Sequence, residues 1–186
     1  MKIGITGHTK GIGKSLYNYF VKNNYDVIGF SRSNGYDINL DQDLIIDQLR
    51  NCDVFINNAS SKDSQLQLLK KTNKIVPKII TIGSISTNYR NLLNDNRKNA
   101  LEDYFHKIII EPNSSNLLLI KPAFIAGSSP NERIDSDFTV SHEDIIASIC
   151  FWLSGNEYIS KLEYHWKLTQ YTKKSMQLYG IDISEF

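Results

Sequence analysis

The stretch Thr6-Gly7-His8-Thr9-Lys10-Gly11-Ile12-Gly13 decides the reading of this chain. Before it lies a short apolar run, residues 2–6 (KIGIT), with the look of a buried strand. After it, residues 14–23 carry Leu16, Phe20 and Val21 at helical spacing. A strand, a glycine-bearing turn and a helix in that order form the unit that holds a phosphate. Glycine lets the backbone turn with positive φ and approach a pyrophosphate closely. The helix start then presents unpaired N–H groups and the positive end of its dipole. A bare glycine pattern is a weak signal; its flanking strand and helix make it specific. The bland alternative is a tight turn with no ligand.

Outward from this loop the same alternation continues. Residues 25–30 predict a second strand that runs into the turn-rich Ser31-Arg32-Ser33-Asn34-Gly35. Residues 44–49 predict a helix and 53–57 a third buried strand. Residues 63–71 predict a helix with Leu66, Leu68 and Leu69 on or near one face, and 78–82 a strand. A long helix over 97–110, a strand over 117–120 and a helix over 143–153 complete the series, the last with Ser141 as N-cap and Asp144 three residues on. Strands that are unbroken Val/Ile/Leu runs alternating with helices indicate a parallel sheet covered on both faces. The expected fold is a single doubly wound α/β domain of the Rossmann type over residues 1–186. The aromatic and basic tail, 160–186, has weak periodicity and no assigned place.

Bulk properties exclude several classes. A chain of 186 residues buries roughly 70% of its unfolded surface, so it folds without disulfide or metal. Net charge is +1 with Lys and Arg dispersed, which argues against nucleic acid or an anionic membrane as partner. The two cysteines, Cys52 and Cys150, sit in apolar segments and read as small buried thiols. His8 reads as a loop residue bonded to backbone or facing solvent. His106, His142 and His165 lack metal-site spacing, so no metal is expected. No apolar run approaches the ~18 residues needed to span a bilayer, and no leader is seen, so a cytoplasmic protein is expected.

The spacing Thr-Gly-x-x-x-Gly-Ile-Gly resembles the cofactor loop of the short-chain dehydrogenases/reductases. Further landmarks follow in that family's order over residues 1–159. Asp37-Ile38 resembles the acidic residue that contacts adenine. Asn57-Asn58-Ala59-Ser60 is similar to the family's Asn-Asn-Ala-Gly, and Ile82-Gly83-Ser84-Ile85-Ser86 to the strand end that carries its active-site serine. Lys98-Asn99-Ala100-Leu101 resembles the segment that begins with its lysine. Pro122-Ala123-Phe124-Ile125-Ala126 resembles the loop beside the nicotinamide, and residues 142–154 the penultimate helix. The resemblance implies a nicotinamide dinucleotide held by Gly7 through Gly13, Ser31, Arg32, Ser33, Asp37, Asn57, Asn58, Ala59, Lys98, Pro122, Phe124 and Ile125.

A carboxylate after the second strand would accept hydrogen bonds from the ribose 2′-hydroxyl of NAD, whereas arginine there suits the 2′-phosphate of NADP. Ser31 stands where the acid is expected and Arg32 follows it, with Lys10 adding charge. The sequence therefore favours NADP(H) over NAD(H).

The family's chemistry, as the resemblance implies it, uses a tyrosine four residues before the lysine as proton donor. Counting back from Lys98 gives Asn94, and none of the ten tyrosines has a lysine four residues on. Tyr89, five residues after Ser84, is the candidate replacement, with Tyr158 and Tyr164 as alternatives. Ser84, Lys98 and Tyr89 are thus the catalytic candidates. About two dozen residues separate Asn58 from Ser84, where the family has a further helix that commonly packs at its dimer interface. That reduction argues against the familiar tetramer and leaves a homo-oligomer open. The shortening between Arg32 and Asp53 looks milder.

Two functions follow. One is an NADP(H)-dependent reductase of a small carbonyl compound with an unconventional proton donor. The other is an inactive dinucleotide-binding module with a regulatory or partner-binding role. A sugar-nucleotide epimerase or dehydratase of the extended type would need a larger C-terminal substrate domain than residues 155–186 can build. The substrate loops, 86–96 and 126–140, do not name a ligand, although Glu132, Arg133, Asp135 and Asp137 fit a polar substrate or a solvated lid.

Overall fold

A computed structural model describes residues 1–85, 87, 96–122, 124–125, 139–155 and 159–163. Six parallel strands form its sheet: β1 (Lys2–Thr6), β2 (Asp26–Phe30), β3 (Val54–Asn57), β4 (Lys78–Ile82), β5 (Asn116–Lys121) and β8 (Lys161–Glu163). Their spatial order is β2-β1-β3-β4-β5-β8. Two short segments, β6 (Phe124–Ile125) and β7 (Thr139–Val140), pair separately. The helices are α1 (Gly11–Lys22), α2 (Gln42–Leu49), α3 (Ser64–Thr72), α4 (Asn96–Ile108) and α5 (His142–Leu153).

The period of two along each strand divides the apolar side chains between two cores. Phe55, Ile79, Leu117 and Leu119 face α2, α3 and α4, whose Ile45, Leu49, Leu68, Leu69, Leu101 and Phe105 close that side. Ile3, Ile5, Val54, Ile56, Ile80, Leu118 and Ile120 face α1 and α5, which contribute Leu16, Phe20, Ile145, Ile149 and Trp152. Both faces being covered, the central strands β1, β3, β4 and β5 are largely apolar. One expectation for α1 needs correction. Ile12, Leu16 and Phe20 form its buried stripe at four-residue spacing, and Val21, one step round from Phe20, stands 47% exposed.

α5 begins as its sequence suggests. Ser141 Oγ accepts a hydrogen bond from the Asp144 backbone N–H at 3.0 Å and donates to the Asp144 carboxylate at 2.7 Å, a capping box. At its other end Trp152, fully buried, donates from Nε1 to the Ile159 carbonyl at 2.8 Å. That bond leads the chain into β8, and the carbonyl of Ser160, the residue before it, accepts from Leu119 N–H. Residues 161–163 of the unassigned tail thus extend the sheet. They are locked by charge: Lys121, 1% exposed, lies 2.7 Å from Glu102 and 3.0 Å from Glu163.

The shortening between Arg32 and Asp53 is structural rather than mild. A doubly wound sheet ordinarily carries another strand outside the second, in the order 3-2-1-4-5-6. Among the described residues nothing pairs beyond β2. The chain leaves β2, makes one 3-10 turn at Arg32–Asn34 and enters α2 directly.

Candidate functional site

Strand order reverses between β1, which is followed across the sheet to β2, and β3, which is reached in the other direction. Chain connections diverge there and leave a crevice at the carboxyl ends of the strands. The crevice in this molecule is a cleft of about 470 Å³.

Its floor is a clamp between the ends of β1 and β3. Thr6 Oγ1 accepts from the backbone N–H groups of Asn58 and Ala59, each at 3.0 Å, and Asn58 Nδ2 donates to the Thr6 carbonyl at 3.0 Å. α1 starts directly above. Gly13 packs so closely on Gly7 that a Cβ would run into the Gly7 carbonyl and stand 2.6 Å from Asn58 Nδ2. Lys10 occupies the N-cap position in an extended conformation, and no side-chain cap bonds the helix start. The first N–H groups of a helix have no partner within it, and here they open beside the cleft.

The opposite wall is the turn after β2. Asn34 ties it down: its Nδ2 donates to the Gly29 carbonyl at 2.7 Å, while its Oδ1 accepts from Ser31 N–H at 2.9 Å. Ser31 and Ser33 hydroxyls are 2.8 Å apart. Arg32 gives the turn its carbonyl, which accepts from Gly35 N–H at 3.4 Å, and the exposed residue lines the cleft together with Lys10. Asp37 also lines it. Hydrogen bonding from the Asn39 backbone, then from the Asn39 side chain and the attraction of Arg32, holds the Asp37 carboxyl below its ordinary pKa. Phe30, Tyr36, Ile38 and Ala59 make an apolar portion, with the Phe30 and Tyr36 rings edge to face at 5.1 Å. A flat apolar slot beside two cations and an uncapped helix start is matched to a nucleotide with phosphates.

Of the residues singled out in the sequence, Gly7, Thr9, Lys10, Ser31, Arg32, Ser33, Asp37 and Ala59 line this cleft together. Gly13 and Asn58 stand behind it as supports, Ile12 belongs to the core, and Gly11 opens α1. His8 sits in the loop as expected, and its ring packs inward over β2. Its half-buried ring lies over Gly29 and 5.0 Å from the Tyr17 ring, and Nδ1 has no hydrogen-bond partner. Asn57 is fully buried; its Nδ2 donates to the Gln65 carbonyl at 2.8 Å.

Sequence reasoning passed over Tyr36, Asn39 and Ser61. An aromatic directly before the acid at Asp37 was the available signal for the first.

Two of the catalytic candidates, Ser84 and Lys98, lie among the described residues, near the end of β4. Ser84 follows β4, its carbonyl accepting from the Thr87 hydroxyl at 2.9 Å. Lys98, in the first turn of α4, donates from Nζ to Gln65 Oε1 at 2.7 Å and to the Ile82 carbonyl at 3.3 Å. Lys98 lines a cavity of about 10 Å³, room for roughly one water. Ser60 lines both this cavity and the large cleft, so the two adjoin. The Pro122 carbonyl accepts from Ile85 N–H, while Phe124 and Ile125 form β6. Tyr89, Asn94, Tyr158 and Tyr164, and residues 126–138 of the second loop, lie outside the described residues. Among the described residues no group of three His, Cys, Asp or Glu could hold a metal, and no helix is long and apolar enough to cross a membrane.

No protein-family model matches the sequence, and no curated protein matches it. Solved structures do match in shape. A 4-hydroxyisoleucine dehydrogenase complexed with NADH superposes with a TM-score of 0.69 at 16% identity, covering 88% of this chain and 96% of that one. The closed form of a serine dehydrogenase complexed with NADP+ gives 0.66 at 14% identity, covering 88% and 94%. An oxidoreductase of the short-chain dehydrogenase/reductase family from Burkholderia thailandensis gives 0.64 at 16% identity, covering 95% and 97%. The fold is that of the short-chain dehydrogenases/reductases, the likeness that the sequence motifs had suggested.

Proposed function

We propose that this chain binds a nicotinamide dinucleotide in the cleft between the α1 loop and the β2 turn, and that it takes NADP(H) in preference to NAD(H). The observation that carries this reading is the cleft at the reversal of strand order, with an uncapped helix start on one side and Lys10 and Arg32 lining it. The adenine lies against the apolar portion, near Tyr36 and Asp37. The diphosphate meets the first amides of α1, and the 2′-phosphate meets Arg32 and Lys10. No carboxylate stands at Ser31 to receive a 2′-hydroxyl.

The chemistry we assign is reduction of a small carbonyl compound. When bound, the cofactor supplies the hydride; the protein must orient the carbonyl and deliver a proton. Ser84 steadies the carbonyl oxygen. Lys98 holds the ribose and lowers the pKa of the proton donor by its charge. Tyr89 is our candidate for that donor. The chain acts as one domain, 1–186. Its two free thiols, Cys52 and Cys150, suit a reducing cytoplasm.

Asn94 at the family's tyrosine position favours a second reading, a dinucleotide-binding module without turnover. A panel of aldehydes and ketones with NADPH, run beside the Lys98→Ala and Tyr89→Phe variants, separates the two. NADPH oxidation that either substitution abolishes supports the reductase. Tight NADPH binding with no oxidation across the panel supports the module.

A further inference from the structure

Gln65 was not among the residues that the sequence marked, yet it is 3% exposed at the start of α3, where a side chain of its type is rarely buried without a role. Every polar atom of its amide is engaged. Nε2 donates to the Asn57 carbonyl at 2.8 Å and to the Ile82 carbonyl at 2.9 Å. These are the last residues of β3 and β4, so the amide bridges two strand ends. Both acceptors are carbonyl oxygens, and only an NH2 group can satisfy them; the orientation of the amide follows from its partners. Oε1 is thereby turned toward α4, where it accepts from Lys98 Nζ at 2.7 Å. The Ile82 carbonyl accepts from both Gln65 and Lys98, closing a small ring of hydrogen bonds.

A lysine on four rotatable bonds loses rotamer entropy when it is held. A buried, fully bonded amide in contact with the ammonium lets the fold supply that order before any ligand arrives. Taking the dinucleotide reading as given, we infer that Gln65 is the positioning residue for Lys98: its amide, fixed by the ends of β3 and β4, sets the Lys98 ammonium beside the cleft in the place from which it engages the cofactor. Gln65 acts through Lys98 and touches no substrate itself.

A double-mutant cycle tests this, read as the NADPH dissociation constant by nucleotide fluorescence on the full chain. The proteins are wild type, Gln65→Met, Lys98→Met and the double variant. Gln65→Met keeps the volume and removes all three bonds, so thermal melts accompany each titration. Gln65→Asn, which keeps an amide but withdraws it by one methylene, replaces it in the cycle should the methionine variant not fold. Each single substitution is expected to weaken NADPH about tenfold, and the double variant to bind no more weakly than Lys98→Met alone, since neighbours in one network are not additive. A merely structural Gln65 would lower the melting temperature and give losses that multiply in the double variant; that result overturns the inference and leaves dinucleotide binding standing. Unchanged NADPH affinity in Gln65→Met and Gln65→Asn overturns it as well. Wild type that binds no dinucleotide overturns both this inference and the reading beneath it.

Discussion

Gly13→Ala is the substitution whose consequence the geometry defines best. The added methyl carbon would stand 2.6 Å from Asn58 Nδ2 and 2.9 Å from the Gly7 carbonyl carbon, and closer to the Gly7 oxygen. Ordinary contact needs about 3.5–4.0 Å, so the loop or the helix start must move by roughly 1 Å. Overpacking of this kind costs about 1–3 kcal/mol. Displacing Asn58 also endangers its 3.0 Å bond to the Thr6 carbonyl, a further loss of about 1 kcal/mol. Alanine's better helix propensity returns about 0.5–1 kcal/mol. The net destabilisation is about 1–3 kcal/mol, which at this chain length lowers Tm by roughly 3–10 °C.

Binding suffers more than stability, because a displacement near 1 Å at a positioning element can cost about 100-fold. Circular dichroism melts and NADPH titration read the two effects. Gly11→Ala is the control. Its Cβ meets open space, and its penalty is the φ of +51°, about 1–2 kcal/mol, with no displacement of Gly7. A Gly13→Ala protein with wild-type Tm and NADPH affinity would refute the claim that the α1 start is seated on Gly7.

Arg32→Ala should weaken NADPH by about 10- to 100-fold, the worth of a charge-assisted bond, and leave NADH unchanged; equal loss for both cofactors in fluorescence titration would show that Arg32 does not read the 2′-phosphate. Lys121→Met strips the nearest cation from buried Glu102, leaves half-buried Glu163 to Lys161 alone, and should destabilise by about 3–5 kcal/mol in urea unfolding. Glu102→Gln should cost less, since Glu163 still pairs with Lys121; the reverse ranking contradicts the cluster as described. Burial raises the Cys52 thiol pKa. The unfolded thiol ionises near pH 8.5 while the folded one keeps its proton, so wild type should lose stability relative to Cys52→Ala as pH rises above about 8.5. A wild-type advantage over Cys52→Ala that stays constant or grows over that range counts against a buried, neutral thiol.

Much of the fold was legible because parallel strands buried on both faces are plain apolar runs, and β1, β3 and β4 are such runs. The glycine loop was legible because glycine, strand and helix constrain one another in the seven residues of Gly7–Gly13. β8 was not, since Lys161-Leu162-Glu163 shows no strand pattern and owes its place to Leu162 packing and to Lys121. That no strand pairs outside β2 among the described residues was not legible either: a shortened connection looks the same in sequence whether it loses a loop or an element. At the cleft, Ser31, Arg32 and Asp37 could be found because their own side-chain chemistry marks them and they line it. Gln65 could not, because its importance lies in two backbone carbonyls, Asn57 and Ile82, that only the folded sheet brings together.

Calorimetric titration of the wild-type chain with NADPH and NADH, backed by thermal shift, addresses the central claim most directly. One equivalent of NADPH binding more tightly than NADH, with a rise in Tm, is the outcome expected of a cleft built from Lys10, Arg32 and the α1 start. Absence of heat and of any Tm shift with every nicotinamide dinucleotide would contradict it.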